Sequence, residues 1–338
     1  GNQKMTNENM SKLTMKDLER YTKLKRSKLF GDEYLKHTGR EYMTLYPRQK
    51  PMHFMYPADY FGQEHWATTR ETQFIKEVPS NKLSKIREEP KKRILKEDDP
   101  RILSEYRDDA DFMNMTLKVM SVRPRAYEIK NFLSETEIDH IISVAKTSNM
   151  KLSTTGTGNE ESSKTNTRTS KNTWVVREYD QIIDAIYRRS ADLMRIDEAL
   201  FRTRDYSELP DHPTKTSIAE QLQLVHYDKY QEYTAHHDFG YDYVDNKYQG
   251  TRFATLLLYL NEPEAGGATE FPRWVNGETA ESLKAVPEKC KAVLFYSFLP
   301  DGNLDDLSQH AAMPVTAGEK YLINLWVRDP IFDKNSNA

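Results

Sequence analysis

Four apolar runs in the last third of the chain limit the fold more than any other feature of the sequence. LQLVHY (222–227), RFATLLLYL (252–260), KAVLFYS (291–297) and KYLINLWVR (320–328) are strand-length and rich in aliphatic and aromatic residues. Turn signals separate them, including Gly266-Gly267 and Pro300-Asp301-Gly302. No long amphipathic helix lies between them to serve as a crossover. They therefore predict an antiparallel sandwich or jelly roll rather than a parallel sheet.

Helices are expected earlier. LSETEIDHIISVAKT (133–147) opens with a capping box, Ser134 with Glu137, and a staple from Leu133 to Ile138. Ile138, Ile141, Ile142 and Ala145 then form an apolar stripe. A second helix fits 178–195, with Ile183, Ile186, Leu193 and Met194 facing inward. The Gly/Ser/Thr/Asn tract between them, 151–172, predicts a long mobile loop.

Residues 1–110 differ from the rest. Charge is dense and apolar residues are scattered, apart from a short helical pattern beginning near Thr14. The run REEPKKRILKEDDPR (87–101) predicts a solvated linker. The organisation expected is a charged, partly helical extension over 1–110 and one α+β domain with a mainly β core over 111–338.

Composition excludes several classes. A formal net charge of −3 gives no basic field to draw nucleic acid or anionic lipid. The apolar runs are too short to span a membrane. A single cysteine, Cys290, excludes an intrachain disulfide framework and a cysteine-based zinc site. The sequence opens on Gly1, which suits a chain trimmed of an upstream targeting segment. Nothing in it sets the oligomeric state.

The chemistry gathers at EYTAHHDFG (232–240). In an extended segment residues i and i+2 share a side, so His236 and Asp238 converge while His237 points away. This is most of a two-histidine, one-carboxylate set, which leaves coordination positions open and suits non-haem Fe(II). The triplet alone also suits a hydrogen-bonded strand end, and a second one occurs at His226 and Asp228. His310 lies between the last two strands, where it can supply the third ligand. Strand parity in KYLINLWVR puts Tyr321, Ile323, Leu325 and Val327 on a core face and Lys320, Asn324, Trp326 and Arg328 on the other. That second face is polar and aromatic, as a pocket wall would be. From it Lys320 can bind the far carboxylate of a dicarboxylate cosubstrate.

These stretches, at these spacings, resemble the prolyl 4-hydroxylases among the Fe(II)/2-oxoglutarate dioxygenases. The resemblance is carried by 222–240, 250–272, 287–297 and 310–328, and upstream by PRAYEIKNFLSETEIDHII (124–142) and RTSKNTWV (168–175). It covers roughly residues 117–330. It implies a double-stranded β-helix (jelly roll) with flanking α-helices. It implies His236, Asp238 and His310 as iron ligands, and Lys320 as partner of the 2-oxoglutarate C5 carboxylate, aided by Tyr227 and Thr269. Arg252 and Trp326 match residues lining the peptide-proline site, and Tyr233 matches a tyrosine near the iron. The implied activity is 4-hydroxylation of proline in a peptide or protein, coupled to decarboxylation of 2-oxoglutarate. O2 would be the second cosubstrate and ascorbate the reductant. The implied compartment is the secretory pathway or endoplasmic reticulum lumen, with cytoplasm as the alternative.

The chain departs from the family pattern at His237, often aromatic there, at Cys290, commonly glycine, and over 202–217, which reads as an insertion. Hydroxylation of another residue or a small molecule, and a non-catalytic peptide-binding module, are the alternative readings.

Overall fold

The computed structural model describes residues 32, 36, 50–78, 112–153, 168–205, 207–209, 212, 214–239 and 251–329. The chain divides into two compact units, Gly1–Arg48 and Gln49–Ala338. The second unit carries the β-sheets.

Its strands are β1 (Glu64–Arg70), β2 (Phe112–Ser121), β3 (Ala126–Ile129), β4 (Lys151–Leu152), β5 (Lys171–Val175), β6 (Leu222–Tyr227), β7 (Tyr233–His236) and β8 (Thr251–Tyr259). They continue with β9 (Ala265–Gly266), β10 (Thr269–Val275), β11 (Ser282–Ala285), β12 (Ala292–Tyr296), β13 (His310–Ala312), β14 (Val315–Ala317) and β15 (Lys320–Asp329). Its α-helices among the described residues are α1 (Glu135–Thr147) and α2 (Gln181–Met194). The four apolar runs are β6, β8, β12 and β15, each within a residue of its expected ends.

A nine-stranded sheet has the order β1-β2-β3-β12-β8-β15-β6-β5-β4, and a four-stranded sheet the order β11-β10-β13-β7. Every pairing between these strands is antiparallel. Following the chain, β6, β8, β12 and β15 of the large sheet alternate with β7, β10–β11 and β13 of the small one. That alternation winds a double-stranded β-helix, the jelly roll expected from the sequence.

Among the described residues of this unit two apolar clusters form the core. On one face of the large sheet, Leu256, Leu294, Ile323 and Leu325 pack with Ile138 and Ile141 of α1 and Ile183 and Ile186 of α2. Between the sheets, Val225, Leu257, Phe271, Phe295 and Leu322 form the second cluster. Each fully buried Leu, Ile or Phe is worth about 1.5–3 kcal/mol. β15 serves both clusters by parity: Tyr321, Ile323, Leu325 and Val327 enter the first, Leu322 the second.

The capping box of α1 forms as expected. Ser134 Oγ accepts from Glu137 N at 3.1 Å, and Ser134 N donates to Glu137 Oε2 at 2.9 Å. The same carboxylate accepts both arms of Arg189 from α2, at 2.9 and 2.7 Å, and the N–H of Ile75 at 3.0 Å. Asp180 caps α2 by accepting from Ile182 N and Ile183 N, and His140 of α1 reaches its other oxygen at 2.6 Å.

The charged extension expected over 1–110 does not end where composition suggested. Residues 50–78 belong to the jelly-roll unit: β1 pairs along β2, and the Tyr56 hydroxyl donates to the Leu193 carbonyl at 2.9 Å. The sequence hid this because β1, EHWATTR, buries only Ala67 and Thr69 and so carries little apolar signal. The loop expected over 151–172 is also shorter, since its ends pair as β4 and β5. The helix expected near Thr14, the linker at 87–101 and the tract 154–167 lie outside the described residues. Among the described residues no helix is long and apolar enough to cross a membrane.

Candidate metal centre and cosubstrate pocket

β7 and β13 are neighbours in the small sheet, and their register makes His236 and His310 cross-strand partners. Asp238 follows two residues after His236, so all three side chains meet, with their ligand atoms within 4.8 Å of one another. His236 Nε2 lies 3.7 Å from Asp238 Oδ1, and His310 Nε2 lies 3.5 Å from Oδ2.

The protonation pattern follows from the hydrogen bonds. His236 Nδ1 donates to the Thr234 carbonyl at 2.8 Å, and His310 Nδ1 donates to the Ser308 carbonyl at 3.0 Å. A carbonyl only accepts, so each Nδ1 carries a proton and each Nε2 is the ring nitrogen left to face Asp238. Burial, then the His310 ring, lowers the His236 pKa to about 3, which keeps it in the neutral, metal-binding form. Burial works against the charge of Asp238, but His310, His236 and Arg252 together hold its carboxyl well below the usual carboxylate range. Two imidazoles and one carboxylate form a donor set that fits Fe(II).

His237 is turned away, as parity required. Its side chain is 1% exposed, and Nε2 donates to the Asp306 carbonyl at 3.1 Å. It thereby ties the His236–Asp238 segment to the turn preceding His310, while Arg273 pairs with the Asp306 carboxylate.

Lys320 begins β15 with no solvent exposure and is the register partner of Tyr227 on β6. Its Nζ donates to the Gly267 carbonyl at 2.6 Å and stands 5.4 and 5.5 Å from the ring centroids of Tyr227 and Tyr259. The Tyr259 hydroxyl donates to Thr269 Oγ1 at 2.8 Å, which brings Thr269 to the same wall. A side chain at Gly267 would press on this arrangement, since its Cβ would lie 3.3 Å from Lys320 Cδ. Burial alone pushes the Lys320 pKa down to about 7. No carboxylate pairs with it among the described residues.

The residues matched to the peptide site form a layered group. Arg252 is clamped on Glu220 at 2.7 and 2.8 Å and stacks over the Trp326 ring at 3.7 Å. Tyr233 stacks on His236 at 3.7 Å and is covered by the Arg168 guanidinium at 4.7 Å. Trp174 of β5, 46% exposed, lies 5.9 Å from Trp326. Glu220, Arg168 and Thr255 were not read from the sequence. Thr255 alone left a signal, as the one polar residue between Phe253 and Leu258.

The second H-x-D is also drawn together, with Glu319 joining it. His226 Nε2 is 2.8 Å from Glu319 Oε2 and 3.7 Å from Asp228 Oδ1. Both carboxylates are about half exposed, and Lys171 already meets Asp228 at 3.1 Å. This is a solvated ion-pair network.

Residues 222–328, which hold all three proposed ligands and Lys320, match the 2OG-Fe(II) oxygenase superfamily. A probable prolyl 4-hydroxylase 8 from Arabidopsis thaliana is 33% identical over 223 residues, covering 62% of this chain and 70% of the relative. Prolyl 4-hydroxylase 5 of the same plant is 32% identical over 222 residues, with 62% and 70% covered. Among solved structures, a viral collagen prolyl hydroxylase from Paramecium Bursaria Chlorella virus-1, in its 2OG complex, is 25% identical. It aligns at a TM-score of 0.42 over 60% of this chain and 95% of that one.

Proposed function

This chain belongs to the prolyl 4-hydroxylase family, and from that premise we propose that His236, Asp238 and His310 hold the Fe(II) and Lys320 anchors the 2-oxoglutarate of a peptidyl-proline hydroxylase. The observation that carries the assignment is the pairing of a two-histidine, one-carboxylate triad with a buried lysine that no carboxylate meets among the described residues. A jelly roll has many uses, but these two features together suit a metal-bound dicarboxylate.

Bound Fe(II) supplies the redox chemistry that couples O2 to the decarboxylation of 2-oxoglutarate, giving succinate, CO2 and a hydroxylated proline. The chain's own contribution is placement. The two Nε2 atoms and Asp238 are the groups that would hold the ion, on one side of the pocket. Lys320, facing Tyr227 and with Thr269 nearby, receives the far carboxylate and fixes the cosubstrate's orientation. The apolar cluster between the sheets keeps water from that end.

On the outer side, Arg252 and Tyr233 flank the metal ligands, and the exposed face of Trp174 offers an apolar rest for a polyproline-like segment. Such a peptide is already extended, so ordering it costs little entropy. Ascorbate is the reductant that keeps the metal ferrous, in line with the family resemblance. The same analogy leads us to propose the secretory pathway as the compartment, which protease protection in microsomes would test.

The decisive experiment supplies Fe(II), 2-oxoglutarate, O2 and a proline-rich peptide, then measures succinate and maps the added oxygen by mass spectrometry. Hydroxyproline in the wild-type product, lost in His310→Ala, is the expected result. Full turnover by His310→Ala overturns the ligand assignment. Oxygen on a residue other than proline overturns the substrate.

A further inference from the structure

The outer face of β2 carries a feature that the metal centre does not use. Asn114-Met115-Thr116 is an N-x-T tripeptide, the acceptor pattern for an N-linked glycan, with no proline in its middle. Such tripeptides arise by chance, and this one is distinguished by its surroundings. Strand parity turns Met115 and Leu117 into the core, 3% and 0% exposed, and sends Phe112, Asn114, Thr116 and Lys118 to the other side. Asn114 is exposed, with Phe112 two residues before it and the threonine two residues after it on the same face. Its cross-strand partner is Thr68 of β1, a short and exposed side chain. Trp66 is the partner of Thr116 and so lies diagonally from Asn114. Phe112 is 61% exposed and Trp66 59%, so two large aromatic rings stand in water beside one acceptor amide.

We propose that Asn114 is an N-glycosylation site and that the first sugar of its glycan lies against the Phe112 ring. The proposal rests on the reading that puts the chain in the secretory pathway, where the donor, a lipid pyrophosphate-linked oligosaccharide, is met. In the transfer, Asn114 Nδ2 bonds to C1 of the donor's first N-acetylglucosamine and gives up one proton, while the C1–O bond to the lipid pyrophosphate breaks. The lipid pyrophosphate is the leaving group, and nothing is oxidised or reduced. A pyranose ring presents C–H groups on its faces, so it can lie on an aromatic face that the protein leaves bare. The position also bears on the sheet. β1 is the end strand of the nine-stranded order, and a free edge can template pairing with another chain. A glycan on the adjoining strand would sweep the space beside that edge and keep a second copy away.

The test directs the full chain into the endoplasmic reticulum of a glycosylating cell by an added signal sequence, with protease protection in microsomes as the readout of delivery. Peptide-N-glycosidase in heavy-oxygen water then converts each occupied asparagine to a labelled aspartate, which mass spectrometry assigns to its position. Label at position 114 is expected in the wild type, and should be lost in Asn114→Gln and in Thr116→Val. Thr116→Ser, which restores the hydroxyl, should keep it. The other N-x-S/T tripeptide, at Asn9, falls in a separate tryptic peptide and is scored on its own. Removing the glycan should lower the melting temperature of the wild type more than that of Phe112→Ser, because only the wild type has a ring for the sugar to rest on.

A chain protected in microsomes yet bare at Asn114 overturns the site and leaves the compartment reading intact. Equal melting shifts in the wild type and Phe112→Ser overturn the contact with that ring. A chain that its own cells keep outside the microsomal lumen overturns the compartment, and the modification with it. Because the label is read on the wild-type chain, the main result does not depend on how any variant folds.

Discussion

Lys320 and Gly267 meet through a single 2.6 Å hydrogen bond, and that carbonyl dipole is the negative partner the structure gives the buried ammonium. Burial lowers the lysine pKa to about 7, whereas a bound carboxylate favours the charged form and raises it again. Binding of 2-oxoglutarate above pH 7 must therefore take up a proton. The affinity should be level below pH 7 and fall by about tenfold per pH unit above it, until the pKa of the bound lysine is passed. Calorimetry with Mn(II) in place of Fe(II), in buffers of different ionisation enthalpy, measures the proton directly. Lys320→Met should abolish both the uptake and the binding.

Glu137 and Arg189 are both fully excluded from solvent, and the carboxylate also serves the α1 capping box. Glu137→Ala leaves a buried guanidinium without its carboxylate and should cost about 3–5 kcal/mol in urea unfolding. Replacing both residues by methionine should recover most of that loss, because the pair's attraction largely offsets its desolvation.

Asp329 ends β15 with its carboxylate over the Met52 N–H, 3.1 Å from each oxygen. Burial raises its pKa to about 7, with the Met52 hydrogen bond pulling the other way. The neighbouring His53, 3.7 Å away, is lowered to about 4 by burial and stays neutral at pH 7. A carboxyl whose folded pKa lies above its unfolded value stabilises most at low pH, and that contribution is lost as pH rises through about 7. Asp329→Asn should therefore gain on the wild type between pH 4 and 7 and level off above, by about 4 kcal/mol over those three pH units. Urea melts at pH 5 and pH 8 give the difference.

Cys290 sits at φ +69°, in the left-handed region where a Cβ is strained, and its carbonyl accepts from Phe132 N and Leu133 N. Glycine, which the resemblance implies at this position, adopts that conformation without strain. Cys290→Gly should relieve the strain and raise stability by up to about 1 kcal/mol, read as a higher melting temperature with unchanged turnover.

The elements that could be read from the sequence are those whose signal is local. β6, β8, β12 and β15 are buried along most of their length, and the N-caps and apolar stripes of α1 and α2 are set within a few residues. Parity alone separated His236 from His237. The small sheet was harder, because β7 buries none of its four residues and β10 carries Pro272 and a register shift. Glu220 under Arg252 and Arg168 over Tyr233 depend on register between distant strands, which no window of sequence contains. The Asp238 oxygen that accepts from both Thr255 Oγ1 and Trp326 Nε1 is of the same kind.

The cross-strand pairing of His236 with His310 also bears on how the small sheet holds together. An ion gripped by both rings would be a removable rivet, closing the long stretch of chain from one strand to the other much as a disulfide does. With one cysteine in the sequence, no intrachain disulfide can do that work. Loading and stripping the ion would then set how firmly β7 and β13 are locked, so that one site governs both the reaction and the rigidity of the wall that houses it.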